Sequence, residues 1–311
     1  MRRGELPRDD REDAKAPEPV TAVRALLADI VDYAGLFPPA SLDMATAVRN
    51  YLAYRGETTS WMLGRFVVPV ARLDELRSEL VRHPVSERVS ISATAGGDVE
   101  ADIETARAFN RATIGIARVE VIEARFSTAE AIERGGRAAR REFDLFAEIP
   151  ADPDPETLVA AISRVGCAAK IRTGGTTPDA FPSASIVVRF IRRCLEAGIR
   201  FKATAGLHHP LRAEYPLTYE VAAPRGVMFG YLNVFVAAAL MRHGLTDAEA
   251  ERVLSERDRD AFDITGDRIA WEGHTLTADD LRRVRDEVAV SFGSCSFREP
   301  VDELHAISAA S

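Results

Sequence analysis

The sequence predicts an α/β fold built as one (β/α)8 TIM barrel, and three observations predict it. Short β-rich runs alternate with amphipathic stretches, which is the pattern of βα units around a parallel sheet. Eight such runs can be counted, the number a closed barrel requires. The chain has 311 residues, and barrels of this kind run past about 250 residues as one unit. Residues 21–311 therefore read as a single barrel domain behind a flexible tail over residues 1–20, where charges, Pro and Gly leave little to bury.

The first strand, Asp29–Ala34 (DIVDYA), is the weakest of the eight. The others are Arg65–Val70, Arg88–Thr94, Arg118–Ala124, Phe143–Pro150, Ala168–Thr173, Arg200–Ala205 and Ala289–Gly293. Apolar residues at helical spacing predict helices between them at Leu42–Tyr54, Leu73–Arg82, Asp98–Arg111, Ala129–Arg141, Pro155–Val165 and Ala184–Ala197. The seventh connection breaks this rhythm, because residues 207–287 far exceed an ordinary βα unit. They read as a mainly helical insertion: an apolar helix (Tyr231–Met241), an acidic helix (Thr246–Arg257), a hairpin around Thr265-Gly266-Asp267 and a last helix (Thr277–Glu287). Its size suits a lid or a homo-oligomer contact. The apolar helix spans 11 residues, too few to cross a bilayer, so it is expected in a core or a subunit interface.

Composition narrows the function. With 46% hydrophobic and 28% charged residues, the chain can bury a large core. A net charge of −8 argues against a nucleic-acid partner, since phosphate-backbone binders carry a basic face. No window approaches the roughly 18 apolar residues of a membrane span, and the N-terminus has no signal-peptide run, so the expectation is a cytoplasmic protein without a membrane partner. Cys167, Cys194 and Cys295 are odd in number and lack CxxC spacing, which indicates reduced thiols and neither a disulfide framework nor a zinc site.

Of 40 basic residues only Lys15, Lys170 and Lys202 are lysine. Arg stays protonated, whereas a Lys in an apolar or cationic setting can lose its proton and attack a carbonyl. Lys15 is in the tail. Lys170 and Lys202 lie near the C-terminal ends of consecutive strands, the catalytic face of a barrel. On adjacent strands their ammonium groups would disfavour charging both, as a Schiff-base nucleophile needs. The other reading is two strand-end lysines paired to carboxylates.

The segments Lys170-Ile171-Arg172-Thr173-Gly174-Gly175 and Phe201-Lys202-Ala203-Thr204-Ala205-Gly206-Leu207 resemble the Schiff-base and second-lysine segments of deoxyribose-phosphate aldolases. Four further segments match in order. Ile30-Val31-Asp32-Tyr33 through Leu36, Pro38 and Ala40 resembles that family's first strand and loop, with Asp32 at its active-site Asp. Arg118-Val119-Glu120-Val121-Ile122 resembles the strand of the proton-relay Asp, with Glu120 in that place. Phe146-Ala147-Glu148 resembles the strand of the buried Glu, and Phe292-Gly293-Ser294-Cys295-Ser296 the phosphate-facing turn. The likeness spans about residues 28–206 and 288–296 and leaves the insertion uncovered. It implies an imine at Lys170, activation by Lys202, proton relay by Glu120, and Asp32 and Glu148 in the same site, with no cofactor. Three departures bear on the substrate. Glu120 is one methylene longer than the family's Asp, Arg172 replaces a small hydroxyl residue, and His208-His209 replaces a basic and a polar residue.

Thr173-Gly174-Gly175, Gly206 and the turn of Gly293, Ser294 and Ser296 can turn backbone N–H groups toward an anion; the alternative is ordinary strand-to-helix turns. Arg172 is two positions after Lys170 and so on the same side of a regular strand, where it can clamp a phosphate or carboxylate. His208 and His209 are expected to contact or gate the substrate, or to be structural. A metal shared with Glu148 or Glu123 is the lesser reading, because neighbours on an extended segment point to opposite sides. No partner His is evident for Cys295, which reads as a packed thiol.

The leading expectation is thus a class I, Schiff-base lyase of the aldolase type acting on a small acidic or phosphorylated oxo compound. Two alternatives stand beside it. One is a metal-assisted lyase or hydrolase using His208, Glu148 and Glu123; the other is a non-catalytic barrel serving as a binding or scaffold protein.

Overall fold

The computed structural model describes residues 21–83 and 85–309, so the expected tail over residues 1–20 lies outside the described residues. Helix α1 (Thr21–Leu27) leads into β1 (Val31–Tyr33), followed by α2 (Met44–Arg55), β2 (Leu63–Pro69), α3 (Leu73–Arg82) and β3 (Val89–Thr94). The alternation continues with α4 (Val99–Ala112), β4 (Ala117–Arg125), α5 (Ala129–Ala139), β5 (Asp144–Glu148), α6 (Glu156–Val165), β6 (Ala168–Arg172), α7 (Ala184–Ala197) and β7 (Phe201–Thr204). Side-chain caps start the helices: Asp43 accepts from Thr46 N, Asp98 from Ala101 N, Thr128 from Ala131 N and Ser183 from Ile186 N. Gly198 ends α7 in the left-handed region, at φ 61°, and turns the chain directly into β7.

The seventh connection holds more β structure than its sequence pattern suggests. Strands β8 (Ala213–Pro216) and β9 (Arg225–Met228) pair as an antiparallel hairpin, followed by α8 (Tyr231–Arg242) and α9 (Asp247–Ser255). Strands β10 (Phe262–Thr265), β11 (Arg268–Trp271) and β12 (His274–Thr277) form a small antiparallel sheet, and the expected turn at Gly266 joins its first two strands. Helix α10 (Ala278–Glu287) leads to β13 (Ala289–Ser294) and the closing α11 (Arg298–Ala309). Helix α8 is buried from Tyr231 to Met241 and packs on α9, α10 and β13, so the chain itself covers the face that could have met a partner. Its buried polar groups are satisfied: Asn233 donates to Val253 O and Glu256 O and accepts from Arg212 N, and the Tyr231 hydroxyl donates to Pro300 O.

Eight of these strands close into one parallel barrel in the order β1-β13-β7-β6-β5-β4-β3-β2. Each had been legible as an apolar run between breakers, and the boundaries differ by a residue or two. The main core lies between sheet and helices. A second apolar cluster joins Val121 of β4 to Phe146 of β5 and its register partner Ala168 of β6, with Val290 against it. Above it the residues on these strands change from apolar to ionised.

Candidate active site

The register of three neighbouring strands builds the floor of the site. Glu148 of β5 is the partner of Lys170 on β6, and Lys170 is the partner of Lys202 on β7. Partners in a parallel pair point to the same face. Here that face carries Lys170 Nζ to 2.8 Å from Glu148 Oε2 and 2.7 Å from Glu123 Oε2. Lys202 Nζ lies 2.6 Å from Glu123 Oε1 and 2.6 Å from Asp32 Oδ2. Glu123, three residues beyond Glu120 on β4, therefore spans the two lysines.

Hydroxyl and amide donors complete the network. Ser92 donates to Glu123 Oε1 at 2.5 Å, Ser291 to Asp32 Oδ2 at 2.8 Å, and Arg65 N to Asp32 Oδ1 at 2.8 Å. Arg125, the register partner of Glu148, holds the other Glu148 oxygen at 2.9 Å. Three carboxylates thus face three cations, the balance that buried charge requires. Burial pushes the Glu123 carboxyl up, but the Lys170 and Lys202 ammonium groups outweigh this and hold it well below the usual carboxylate range. Glu148 is also held low, with burial opposed by Lys170, Arg125 and Arg172. Burial works against the Lys202 ammonium, yet Asp32 and Glu123 raise it above the ordinary lysine value. The direct opposition of two ammonium groups expected from their strands is replaced by a shared carboxylate.

Above this floor opens a cavity of about 890 Å³ that reaches both lysines, Glu123 and Glu148. Arg172 lies on its exposed rim and, among the described residues, forms no ion pair. Gly206 and Gly293 line it as well. The loop between β8 and β9 overhangs it through Leu217, Thr218, Tyr219 and Glu220.

Several residues expected at the site do other things. Glu120 is not beside the lysines: it bonds Arg65 at 3.3 Å, Arg88 at 3.2 Å and Ser90 at 3.2 Å. A register shift between β3 and β4 at Ile91/Ser92 lies alongside it. Thr173 uses its hydroxyl to hold Ala205 O at 2.7 Å, and Gly174 is needed because a Cβ there would meet the Phe181 ring at 2.4 Å. Ser294 donates to Ser296 O at 2.6 Å, while Ser296 accepts from Glu299 N at the start of α11. Both hydroxyls are thus engaged in the turn and the helix cap.

His208 and His209 do not diverge. Both meet α11, His208 Nδ1 at 2.8 Å from Glu299 and His209 Nδ1 at 2.8 Å from Glu303, one helical turn on. His209 also stacks on Tyr215, with ring centroids 3.4 Å apart. The far nitrogen of His208 faces Cys295 Sγ at 3.9 Å. Burial disfavours the imidazolium, but Cys295 and Glu299 prevail and raise His208 to about 10. Tyr219 completes the group, 3.1 Å from Glu299 Oε2 and 3.5 Å from Cys295 Sγ. Among the described residues no group of three or more His, Cys, Asp or Glu side chains is arranged to hold a metal ion.

Sequence reasoning had not placed Glu123 between the lysines, nor found the Cys295 partners. Glu123 carries a signal in hindsight, because it shares the period-2 face of β4 with Val121 and Arg125. Glu299 and Tyr219 carry none, since each reaches Cys295 or His208 only through the folded chain.

No family model matches the chain, and no curated protein matches it. Among solved structures it is similar to the catalytic domain of a hyperthermophilic chitinase from Pyrococcus furiosus, at 12% identity and a TM-score of 0.38, over 75% of this chain and 94% of that one. No helix of the described residues is long and apolar enough to cross a membrane. The chain is an α/β protein whose eight parallel strands close into a barrel with alternating helices.

Proposed function

We propose that this protein is a class I carbon–carbon lyase of the aldolase type, which forms an imine between Lys170 and a small acidic or phosphorylated oxo compound. The observation that carries this reading is the pair of lysines on one floor, bridged by Glu123, beneath a cavity large enough for a small molecule. The resemblance of both lysine segments to deoxyribose-phosphate aldolases supports it further.

Lys170 must first lose a proton, and Glu123 Oε2 at 2.7 Å is placed to take it. With Lys170 neutral, one of the two cations that hold Glu123 low is gone, so the carboxyl can keep the proton. The free amine adds to the substrate carbonyl, giving a carbinolamine. Glu123 then returns its proton to the departing hydroxyl, water leaves, and the iminium carries the positive charge the ammonium had. That cation is the electron sink for carbon–carbon cleavage, with a neighbouring carboxylate accepting the proton of the substrate hydroxyl. Lys202 stays charged between Asp32 and Glu123 and fixes the relay. Arg172 at the rim is the cation that holds the acidic end of the substrate.

The test is borohydride trapping with glycolaldehyde, pyruvate, glyceraldehyde 3-phosphate and dihydroxyacetone phosphate, followed by peptide mapping. A reduced adduct on Lys170 is expected with at least one of them. Absence of any lysine adduct, or an adduct confined to Lys202, overturns the assignment.

A further inference from the structure

The same cavity holds a second set of reactive groups that the imine chemistry leaves unused. Cys295 comes from the end of the β13 turn, His208 from the segment after β7, and Glu299 from the first turn of α11. They form a line: Cys295 Sγ is 3.9 Å from His208 Nε2, and His208 Nδ1 is 2.8 Å from Glu299 Oε2. That is a nucleophile, a base and a group that orients the base, in the order in which thiol nucleophiles are activated. Tyr219 reaches in from the β8–β9 loop to both ends, Glu299 and Cys295. All four residues line the cavity whose floor holds Lys170.

The other two cysteines give an internal contrast. Burial, with Asp144 nearby, pushes Cys167 up to about 11, and burial alone pushes Cys194 well above the ordinary thiol value. Among the described residues, Cys295 is the cysteine with an imidazole beside it. A role confined to packing would need neither that imidazole nor a carboxylate behind it.

We propose that Cys295, activated by His208 and oriented through Glu299, is a nucleophilic thiol that adds reversibly to a small aldehyde in the cavity, forming a hemithioacetal. The sulfur attacks the carbonyl carbon and one S–C bond forms as the carbonyl π bond opens. The proton shared by Sγ and Nε2 passes through His208 to the carbonyl oxygen, which becomes a hydroxyl. No oxidant, reductant or leaving group is involved, and reversal releases the aldehyde intact. Resting on the lyase reading, this gives the site two handles for carbonyl compounds: an amine on the floor and a thiol on the wall. The thiol would retain an aldehyde fragment after cleavage, or the aldehyde partner before bond formation.

Iodoacetamide labelling with peptide mapping tests the activation. Cys295 is expected to react at least about tenfold faster than Cys167 and Cys194, and His208→Gln should remove about tenfold or more of that advantage. Glu299→Gln, which keeps the size of the side chain, should cause a smaller loss; it also serves should His208→Gln fail to fold. Equal rates for the three cysteines, or a Cys295 rate unchanged in both variants, overturn the proposal. The adduct is sought by NMR with [1-¹³C]glycolaldehyde: a carbon bonded to both sulfur and oxygen is expected in the unmodified protein and not in Cys295→Ser. A fast thiol with no such signal overturns the aldehyde as its partner. Borohydride trapping scored on the unmodified protein keeps the two readings apart. A lysine adduct without a fast thiol sinks this inference alone, and a fast thiol without a lysine adduct sinks only the imine.

Discussion

Lys170 and Lys202 are register partners on adjacent strands, yet their ammonium groups are joined through one carboxylate rather than set against each other. Each nitrogen takes one oxygen of Glu123, at 2.7 and 2.6 Å. The bridge makes the pair one electrostatic unit. Moving a proton at either lysine changes the basicity of the carboxylate that serves the other.

Glu123→Gln separates that unit into parts. It removes the shared negative charge but keeps the shape, leaving two buried ammonium groups with Asp32 and Glu148 alone. Breaking a buried ion pair costs about 3–5 kcal/mol, so a clear fall in the urea midpoint is expected. The rate of imine trapping at Lys170 should fall by about 100-fold, the usual worth of a placed proton-transfer group. A variant with unchanged midpoint and trapping rate would show that Glu123 neither holds nor serves the lysines.

The pH dependence of stability follows from the same groups. Glu123, Glu148 and Glu299 are held below their ordinary values, so their contribution is present above about pH 4.5 and is lost as pH falls below it. His208 is raised from 6.5 to about 10, so its contribution is fully present below 6.5 and is lost as pH rises toward 10. Urea midpoints plotted against pH should decline on both sides of a plateau. Glu123→Gln should flatten the acid limb and His208→Gln the alkaline one. Identical pH profiles for the three proteins would contradict both assignments.

Backbone geometry fixes the turn above the lysines. Ala205 and Gly206 both have positive φ, 63° and 71°, immediately after β7. A Cβ on Gly206 would lie 2.8 Å from the Phe181 ring and 3.1 Å from Gly174 Cα. Gly206→Ala should therefore cost about 1–2 kcal/mol for the left-handed backbone and about 1–3 kcal/mol for overpacking. Adding Phe181→Leu should recover most of the second part, leaving the contact with Gly174 Cα, and none of the first. Full recovery, or no loss at all, in thermal unfolding would show that the turn is not held this way.

How far the sequence reaches is clear at particular residues. The scarcity of lysine pointed to Lys170 and Lys202, and the folded chain brings both onto one floor with Glu123 between them. The strands were legible because apolar runs of five or so residues end at Gly, Pro or charged breakers. Glu120 and Glu123 could not be ranked, since β4 is buried on both faces and a register shift with β3 falls between Ile91 and Ser92. Strand β8 alternates half-buried with exposed residues, with no apolar run to mark it, and β9 is only four residues long. Glu299 lies 91 residues from His208 along the chain, and nothing local announces a pairing made by closing the barrel.

The anion handle rests on Arg172 more than on the turn after β13. The Ser294 hydroxyl is engaged with the backbone of Ser296, and the Ser296 hydroxyl accepts from the start of α11, so they have less to offer a ligand. Arg125 is bound to Glu148 at 2.9 Å, and displacing it would leave a half-paired carboxylate on the floor. Arg172 sits on the cavity rim without an ion-pair partner among the described residues, so its guanidinium can meet a phosphate at no cost to the network. A rim charge is partly exposed to water, and its attraction for an anion weakens as salt is added. Titration calorimetry with inorganic phosphate should therefore show binding that weakens between low and physiological ionic strength. In Arg172→Ala the affinity should fall about tenfold, corresponding to about 1.4 kcal/mol, with the urea midpoint little changed, because no side-chain ion pair or hydrogen bond among the described residues is lost and only the longer-range attraction for Glu148 goes. Ser294→Ala should bind phosphate as the unmodified protein does. Equal affinity in Arg172→Ala, or a loss in Ser294→Ala instead, would move the handle from the β6 rim to the β13 turn.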